Sequence, residues 1–147
     1  MEHEDYMAVA LELAKSTADS GDVPVGCVIV KDGEIIGRGC NRREADGIAT
    51  AHAEIEAIND ACRALGTWRL SDCSMYVTLE PCPMCAGAII NSRLHKVFYG
   101  AKDEKAGACG SVLNIFEERF NHKPQLVGGI LKDECAGLLS EFFKTLR

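Results

Sequence analysis

The sequence predicts an α/β fold: a three-layer α/β/α sandwich on a mixed sheet of about five strands. Three observations carry this. From residue 50 onward, apolar runs of strand length alternate with helix-length segments, the pattern of parallel strands joined by crossover helices. Before that, the apolar run Cys27–Val30 leads into Lys31-Asp32-Gly33-Glu34, whose Asp-Gly pair signals a tight hairpin and adds an antiparallel edge. Finally, 147 residues with 47% hydrophobic side chains and four prolines suit one domain, spanning 1–147, with a real core.

Each element has its own reason. Tyr6, Met7, Ala10, Leu11, Ala14 and Ala18 follow helical spacing through roughly 4–19, with Gly21 as a stop. Cys27–Val30 is a strand, Ile35 and Ile36 open its return, and the return ends near Cys40. A polar loop, 41–49, follows. Thr50 is a suitable N-cap for a helix from Ala51 to Leu65, with Gly66 as its C-terminal stop. Met75–Leu79 reads as a strand broken by Glu80-Pro81, and Pro83 suits the first turn of a helix over 83–92. Lys96–Tyr99 is a further strand. The loop Gly107–Gly110 leads into an expected short helix, 111–118; Leu126-Val127 begins a weak last strand, and Asp133–Leu146 is an amphipathic helix.

Composition excludes several classes. No apolar run approaches the roughly 18 residues of a membrane span. The start Met1-Glu2-His3-Glu4-Asp5 is acidic where a signal peptide is basic, which points to a cytoplasmic protein. Eight cysteines in such a chain then suggest thiols or metal ligands rather than a disulfide framework. The net charge of −6 argues at first sight against nucleic acid. It is unevenly spread, however. Residues 1–60 carry 13 acids against 5 Lys/Arg, and residues 61–147 carry 9 acids against 11, a net of +2 that leaves room for a basic face.

Two segments carry chemistry. His52-Ala53-Glu54 stands at the start of one expected helix, and Pro81-Cys82-Pro83-Met84-Cys85 forms a strand-to-helix turn. Cys82 and Cys85, three apart, share a helical face at an N-terminus, where the helix dipole favours thiolate, the metal-binding form. With His52 they make three ligands, and three protein ligands with one open position is the catalytic zinc pattern. Deep within a helix, Glu54 would point about 200° away from His52; in the first turn both can reach a metal off the helix end, where a carboxylate can shuttle protons. A lone Cys-x-x-Cys also fits a redox pair. A structural zinc would draw a fourth ligand from Cys27, Cys40, Cys62, Cys73, Cys109, Cys135, His95 or His122.

The joint pattern is more specific than its parts. His-x-Glu followed by Pro-Cys-x-x-Cys matches the signature of zinc nucleobase deaminases. The surrounding sequence resembles the bacterial tRNA-specific adenosine deaminases within the cytidine/deoxycytidylate deaminase superfamily. The resemblance rests on Val23–Gly26, Gly39–Arg42, Thr50–Glu54, Tyr76–Ala88, Ser92-Arg93, Asp103–Ser111, Phe116–His122 and Asp133–Phe143, covering nearly the whole chain.

That resemblance implies a reaction: hydrolysis of adenosine to inosine at the wobble position of a tRNA anticodon loop. It implies one Zn2+ per subunit on His52, Cys82 and Cys85, with Glu54 as the catalytic proton shuttle. It implies substrate contacts from Asn41 to the base edge, Asp103 and Lys105 to the ribose or phosphate backbone, and Phe143 and Arg147 to loop nucleotides. A homodimer acting on the tRNA anticodon stem-loop is implied as well. By residue type alone, Asn41 and Asp103 are turn residues, and Phe142 and Phe143 are core residues of an amphipathic helix. Arg42, Arg43, Lys102, Lys105, Lys144 and Arg147 are the cations available to phosphate. A deaminase of a free base or nucleoside, of guanine or cytosine type, shares the zinc residues and is the rival reading.

Overall fold

The hairpin forms as its Asp-Gly pair requires. Strand β1 (Gly26–Lys31) ends at Asp32, φ 51°, and Gly33, φ 78°, before β2 (Glu34–Cys40) returns antiparallel to it. The computed structural model describes residues 1–146. Beyond β1, the strands β3 (Ser74–Leu79), β4 (Lys96–Ala101) and β5 (Gln125–Gly128) complete a five-stranded sheet of order β2-β1-β3-β4-β5. β1 pairs antiparallel with β3, while β3–β4 and β4–β5 are parallel, so the sheet is mixed as expected.

Alternation along the inner strands builds two cores. Cys27 and Ile29, Met75 and Val77, and Val97 and Tyr99 face one layer, formed by α3 (Ala53–Leu65) and α4 (Pro83–Asn91). Val28, Val30, Tyr76, Phe98 and Ala101 face the other, formed by α1 (His3–Lys15) and α5 (Lys132–Thr145). Helix layers therefore cover both faces, the arrangement that parallel strands need. Among the described residues, no helix is long and apolar enough to cross a membrane.

One close approach positions the site. Helix α3 lies so tightly on β2 that a Cβ at Gly39 would overlap the Ala53 carbonyl oxygen. The helix that carries His52 and Glu54 at its start is thereby seated against bare backbone.

Several boundaries differ from the sequence expectation, each for a physical reason. The first helix ends at Lys15, because the Ser16 and Thr17 hydroxyls bond back to the carbonyls of Leu13 and Ala14 and the chain then turns through Gly21. The loop 41–49 contains a single helical turn, α2 (Arg43–Asp46), because Asp22 accepts the N–H groups of Glu44 and Ala45 at 2.7 and 3.2 Å. Thr50 is not the cap of α3. His52 stands at the N-cap, and the Asn41 side chain accepts the Ala53 N–H at 2.9 Å from outside the helix. In place of a helix over 111–118 there is only a 3-10 turn, Ile115–Glu117, because the preceding backbone is bonded elsewhere, to Glu80 and between Gly110 and Leu113.

Candidate active site

Two helix starts meet at the site. His52 is the N-cap of α3 and Cys82 the N-cap of α4, both in extended backbone, with Pro83 opening α4 and Cys85 in its first turn. The His52 Nδ1 lies 3.6 Å from the Cys82 Sγ and 3.5 Å from the Cys85 Sγ. These donor atoms form a group able to hold a metal ion, all within 4.8 Å of one another. Among the described residues, no other His, Cys, Asp or Glu joins the group, which argues against a closed four-ligand structural site.

The electrostatics follow from burial and from the two helix ends. Cys82 is held down to about 4, first by the Cys85 thiol bonded to it and then by His52. Cys85 is pushed up by the same thiol–thiol hydrogen bond and by burial, so Cys82 is the more readily ionised of the pair. The hydrogen bond to Cys82 raises His52. Glu54, only 4% exposed on the first turn of α3, is pushed up to about 7 by burial, with the Cys82 thiolate adding to the effect. A carboxyl poised there takes or gives a proton near neutral pH.

These groups open onto a cavity of about 870 Å³. Val23, Val25, Asn41 and Arg43 line it, as does the segment Lys102–Ala106, and Leu139 and Phe143 of α5, with Leu146 just after it, add an apolar border. The sequence-predicted residues thus converge: His52, Glu54, Cys82, Asn41, Asp103, Lys105 and Phe143 all line this one cavity, with Cys85 buried in the same cluster. Arg147 lies outside the described residues.

Their local roles differ from one another. The Asn41 carbonyl oxygen accepts the Ala53 N–H, and its amide nitrogen donates to the Val23 carbonyl at 3.0 Å, leaving one N–H to give. The Asp103 Oδ1 accepts the N–H groups of Lys105 and Ala106, each at 3.1 Å, so Asp103 shapes the turn that presents Lys105. Phe143 is 47% exposed beside the edge of Phe142, not buried in the core. Of the expected cations, Arg43, Lys102 and Lys105 line the cavity, while Arg42 pairs with Asp46 at 2.9 Å and Lys144 lies 3.8 Å from Glu141.

Two residues of the site framework escape a sequence reading. Asp22, 2% exposed, holds the turn after Asn41. Glu80, 2% exposed, looks in sequence like half of a strand-breaking Glu-Pro pair. In the structure its carboxylate accepts the N–H groups of Asp103, Cys109 and Ser111 at 3.1, 3.0 and 3.1 Å, and the Ser111 hydroxyl. Burial alone would raise Glu80; the Ser111 hydroxyl and the three backbone donors outweigh it and hold the carboxyl below its ordinary value. The only sequence signal is a carboxylate between an apolar strand and the Pro-Cys turn.

Comparison with known proteins gives a consistent picture. The family model described as MafB19-like deaminase matches residues 1–147. The tRNA-specific adenosine deaminase of Bacillus subtilis (strain 168) is 52% identical over 143 residues, covering 97% of this chain and 89% of that protein. A solved structure from work on A-to-I editing by tRNA A34 deaminases at the wobble position of transfer RNA superposes with a TM-score of 0.88 at 42% identity, covering 91% of this chain and 98% of that one. A guanine deaminase structure from Nitrosomonas europaea superposes with a TM-score of 0.83 at 26% identity, covering 95% of this chain and 83% of that one, so sequence identity separates the relatives more than shape does.

Proposed function

The chain belongs to the MafB19-like deaminase family, among the tRNA-specific adenosine deaminases, and from that premise we propose that it hydrolyses adenosine to inosine at the wobble position of a tRNA anticodon loop. The observation that carries this is the His52–Cys82–Cys85 triangle with buried Glu54 beside it, at a cavity bordered by cations and an apolar helix face. The cavity, about 870 Å³, lies within the roughly 300–1,000 Å³ of small-molecule sites.

The donor set fits zinc. Bonds of about 2.3 Å to sulfur and about 2.0–2.1 Å to nitrogen at tetrahedral angles put the two atoms about 3.5 Å apart. The separations here are 3.6 and 3.5 Å. We assign one zinc per chain to these residues. When bound, it supplies a Lewis acid that lets water ionise near neutral pH.

The chain's own groups do the rest. Glu54 takes a proton from the water that attacks C6, returns it to N1, and carries a second to the departing amino group. Adenosine and water thus leave as inosine and ammonia. Asn41 gives its remaining N–H to the base edge. Phe143 offers a ring on which a flanking base can stack and, with Arg147, grips the loop nucleotides, while Asp103 and Lys105 meet the ribose–phosphate backbone. The base cannot be reached while stacked, so the anticodon loop must splay it out, and an unpaired loop base does so at lower cost than a base in a duplex. The proposal takes residues 1–147 as one deaminase domain, working in the cytoplasm as a homodimer.

The test is an anticodon stem-loop assay following inosine and ammonia. Release of ammonia from the stem-loop with adenosine at the wobble position, and none when guanosine replaces it, is the expected result. Turnover of free guanine, cytosine or cytidine instead would establish the free-base alternative.

A further inference from the structure

We propose that Glu80 is a positioning residue, whose carboxylate folds the segment 103–111 against the Cys82 turn and so sets where Asp103 and Lys105 stand over the cavity. The proposal deepens the tRNA reading and rests on it for its kinetic arm. Its basis is geometric. Three backbone N–H groups, from Asp103, Cys109 and Ser111, and the Ser111 hydroxyl converge on one side chain. That side chain is 2% exposed. Among the described residues, no Lys or Arg pairs with it, so a nest of backbone dipoles holds the anion.

The surroundings fit closely around it. Ala108 N–H bonds the Pro81 carbonyl at 2.8 Å and Glu80 N–H bonds the Ala101 carbonyl at 2.9 Å, fastening the loop on both sides. A Cβ at Gly107 would overlap the Glu80 carboxylate, so the glycine is required by how closely the loop wraps it. Asp103 and Lys105, on this same loop, line the cavity. Two residues beyond Glu80 stands Cys82. One carboxylate therefore ties the rim that meets the nucleic acid to the turn that carries the metal ligand.

An amide cannot replace it. Each carboxylate oxygen accepts two bonds: Oε1 from Asp103 N–H and the Ser111 hydroxyl, Oε2 from the Cys109 and Ser111 N–H groups. Glutamine has one oxygen. If that oxygen serves Cys109 and Ser111, its NH2 faces the Asp103 N–H, which cannot accept. The Ser111 hydroxyl can turn to accept from the NH2, but the Asp103 amide is orphaned. The loop should loosen first at Asp103, where substrate contact is expected.

The experiment uses the zinc-loaded protein and E80Q. Amide hydrogen exchange at Asp103 is expected to rise about tenfold or more, the cost of a buried donor left without its partner. Metal content stays at one per chain, KM for the stem-loop rises about tenfold, and kcat changes much less. Glu80→Asp, one methylene shorter, does not restore KM. Unchanged exchange at Asp103, or loss of kcat and metal with KM intact, overturns the proposal. If E80Q does not fold, Ser111→Ala removes one donor and leaves the carboxylate: KM should rise a few-fold with kcat kept, and an unchanged KM overturns the proposal. Failure of the tRNA reading shows separately, as no inosine from the unmodified protein, while the exchange arm still reports on the loop.

Discussion

Glu54→Gln separates what Glu54 does for the reaction from what it costs the fold. Glutamine has the same shape, so in a position 4% exposed it leaves packing intact. It cannot carry a proton. General acid–base catalysis contributes roughly 10²–10⁴-fold per group, and in the proposed reaction one carboxyl would serve both water and leaving group, so the loss should lie near about 10⁴ in kcat, or about 5.5 kcal/mol. Of the other lining carboxylates, Glu80 is bound by four donors, Asp103 shapes its own turn, and Glu104 is exposed on the rim.

The stability effect has the opposite sign. The carboxyl rises from 4.5 to about 7 on folding, because burial disfavours its charge. The folded state therefore binds more protons between those values, and stability falls as pH rises through them. Ionising the buried carboxyl at about 7 rather than 4.5 corresponds to about 3 kcal/mol. In chelator-treated protein, E54Q should match the unmodified chain near pH 4 and exceed it by about 3 kcal/mol by pH 8, measured by urea denaturation. Restoring zinc should shrink the difference, because a cation favours the ionised carboxylate. A kcat within tenfold of the unmodified enzyme would refute the catalytic role. A stability gain independent of pH would refute the burial argument.

Two further predictions rest on the cavity wall. Asn41→Ala removes the external cap of α3 and should cost about 1 kcal/mol in thermal denaturation, whereas Asn41→Asp keeps an acceptor for Ala53 but sets a carboxylate oxygen against the Val23 carbonyl, so it should recover only part of the stability and, lacking the N–H proposed for the base, no activity. Affinity for the stem-loop should fall with salt, the logarithmic slope being about −2 if Arg43, Lys102 and Lys105 each meet a phosphate, and Lys102→Ala should reduce that slope by about 0.7.

The fold and the His52–Cys82–Cys85 cluster are legible because their signals are local. Strand alternation, the Asp-Gly turn and the Cys-x-x-Cys spacing each act within a few residues, and the structure realises all three. Errors arise where a distant side chain decides local structure. Thr50 has the chemistry of a cap, but Asn41, twelve positions before Ala53, holds that helix start, and the cap position passes to His52. The segment 111–118 has helical composition, but Glu80, some thirty positions earlier, claims the amides of Cys109 and Ser111 and bends the chain away. Propensity is a weak prior against such partners. In both cases the deciding residue holds the wall of the site.

Charge shows the same dependence on place. The total of −6 appears to oppose an RNA partner, yet fields between exposed charges are screened beyond about 8 Å at physiological salt, so the cavity rim matters more than the sum. Pairing sorts the candidate cations there. Arg42 is held by Asp46 in a fork of 3.0 and 2.9 Å, and Lys144 lies beside Glu141 on its own helix. Arg43, Lys102 and Lys105 remain on the lining, against Asp103 and Glu104. Asp103 spends one oxygen on the turn that presents Lys105, so one acid of the rim serves to place one of its cations. An acidic protein can thus set three cations, Arg43, Lys102 and Lys105, against two acids, Asp103 and Glu104, on the rim of one cavity.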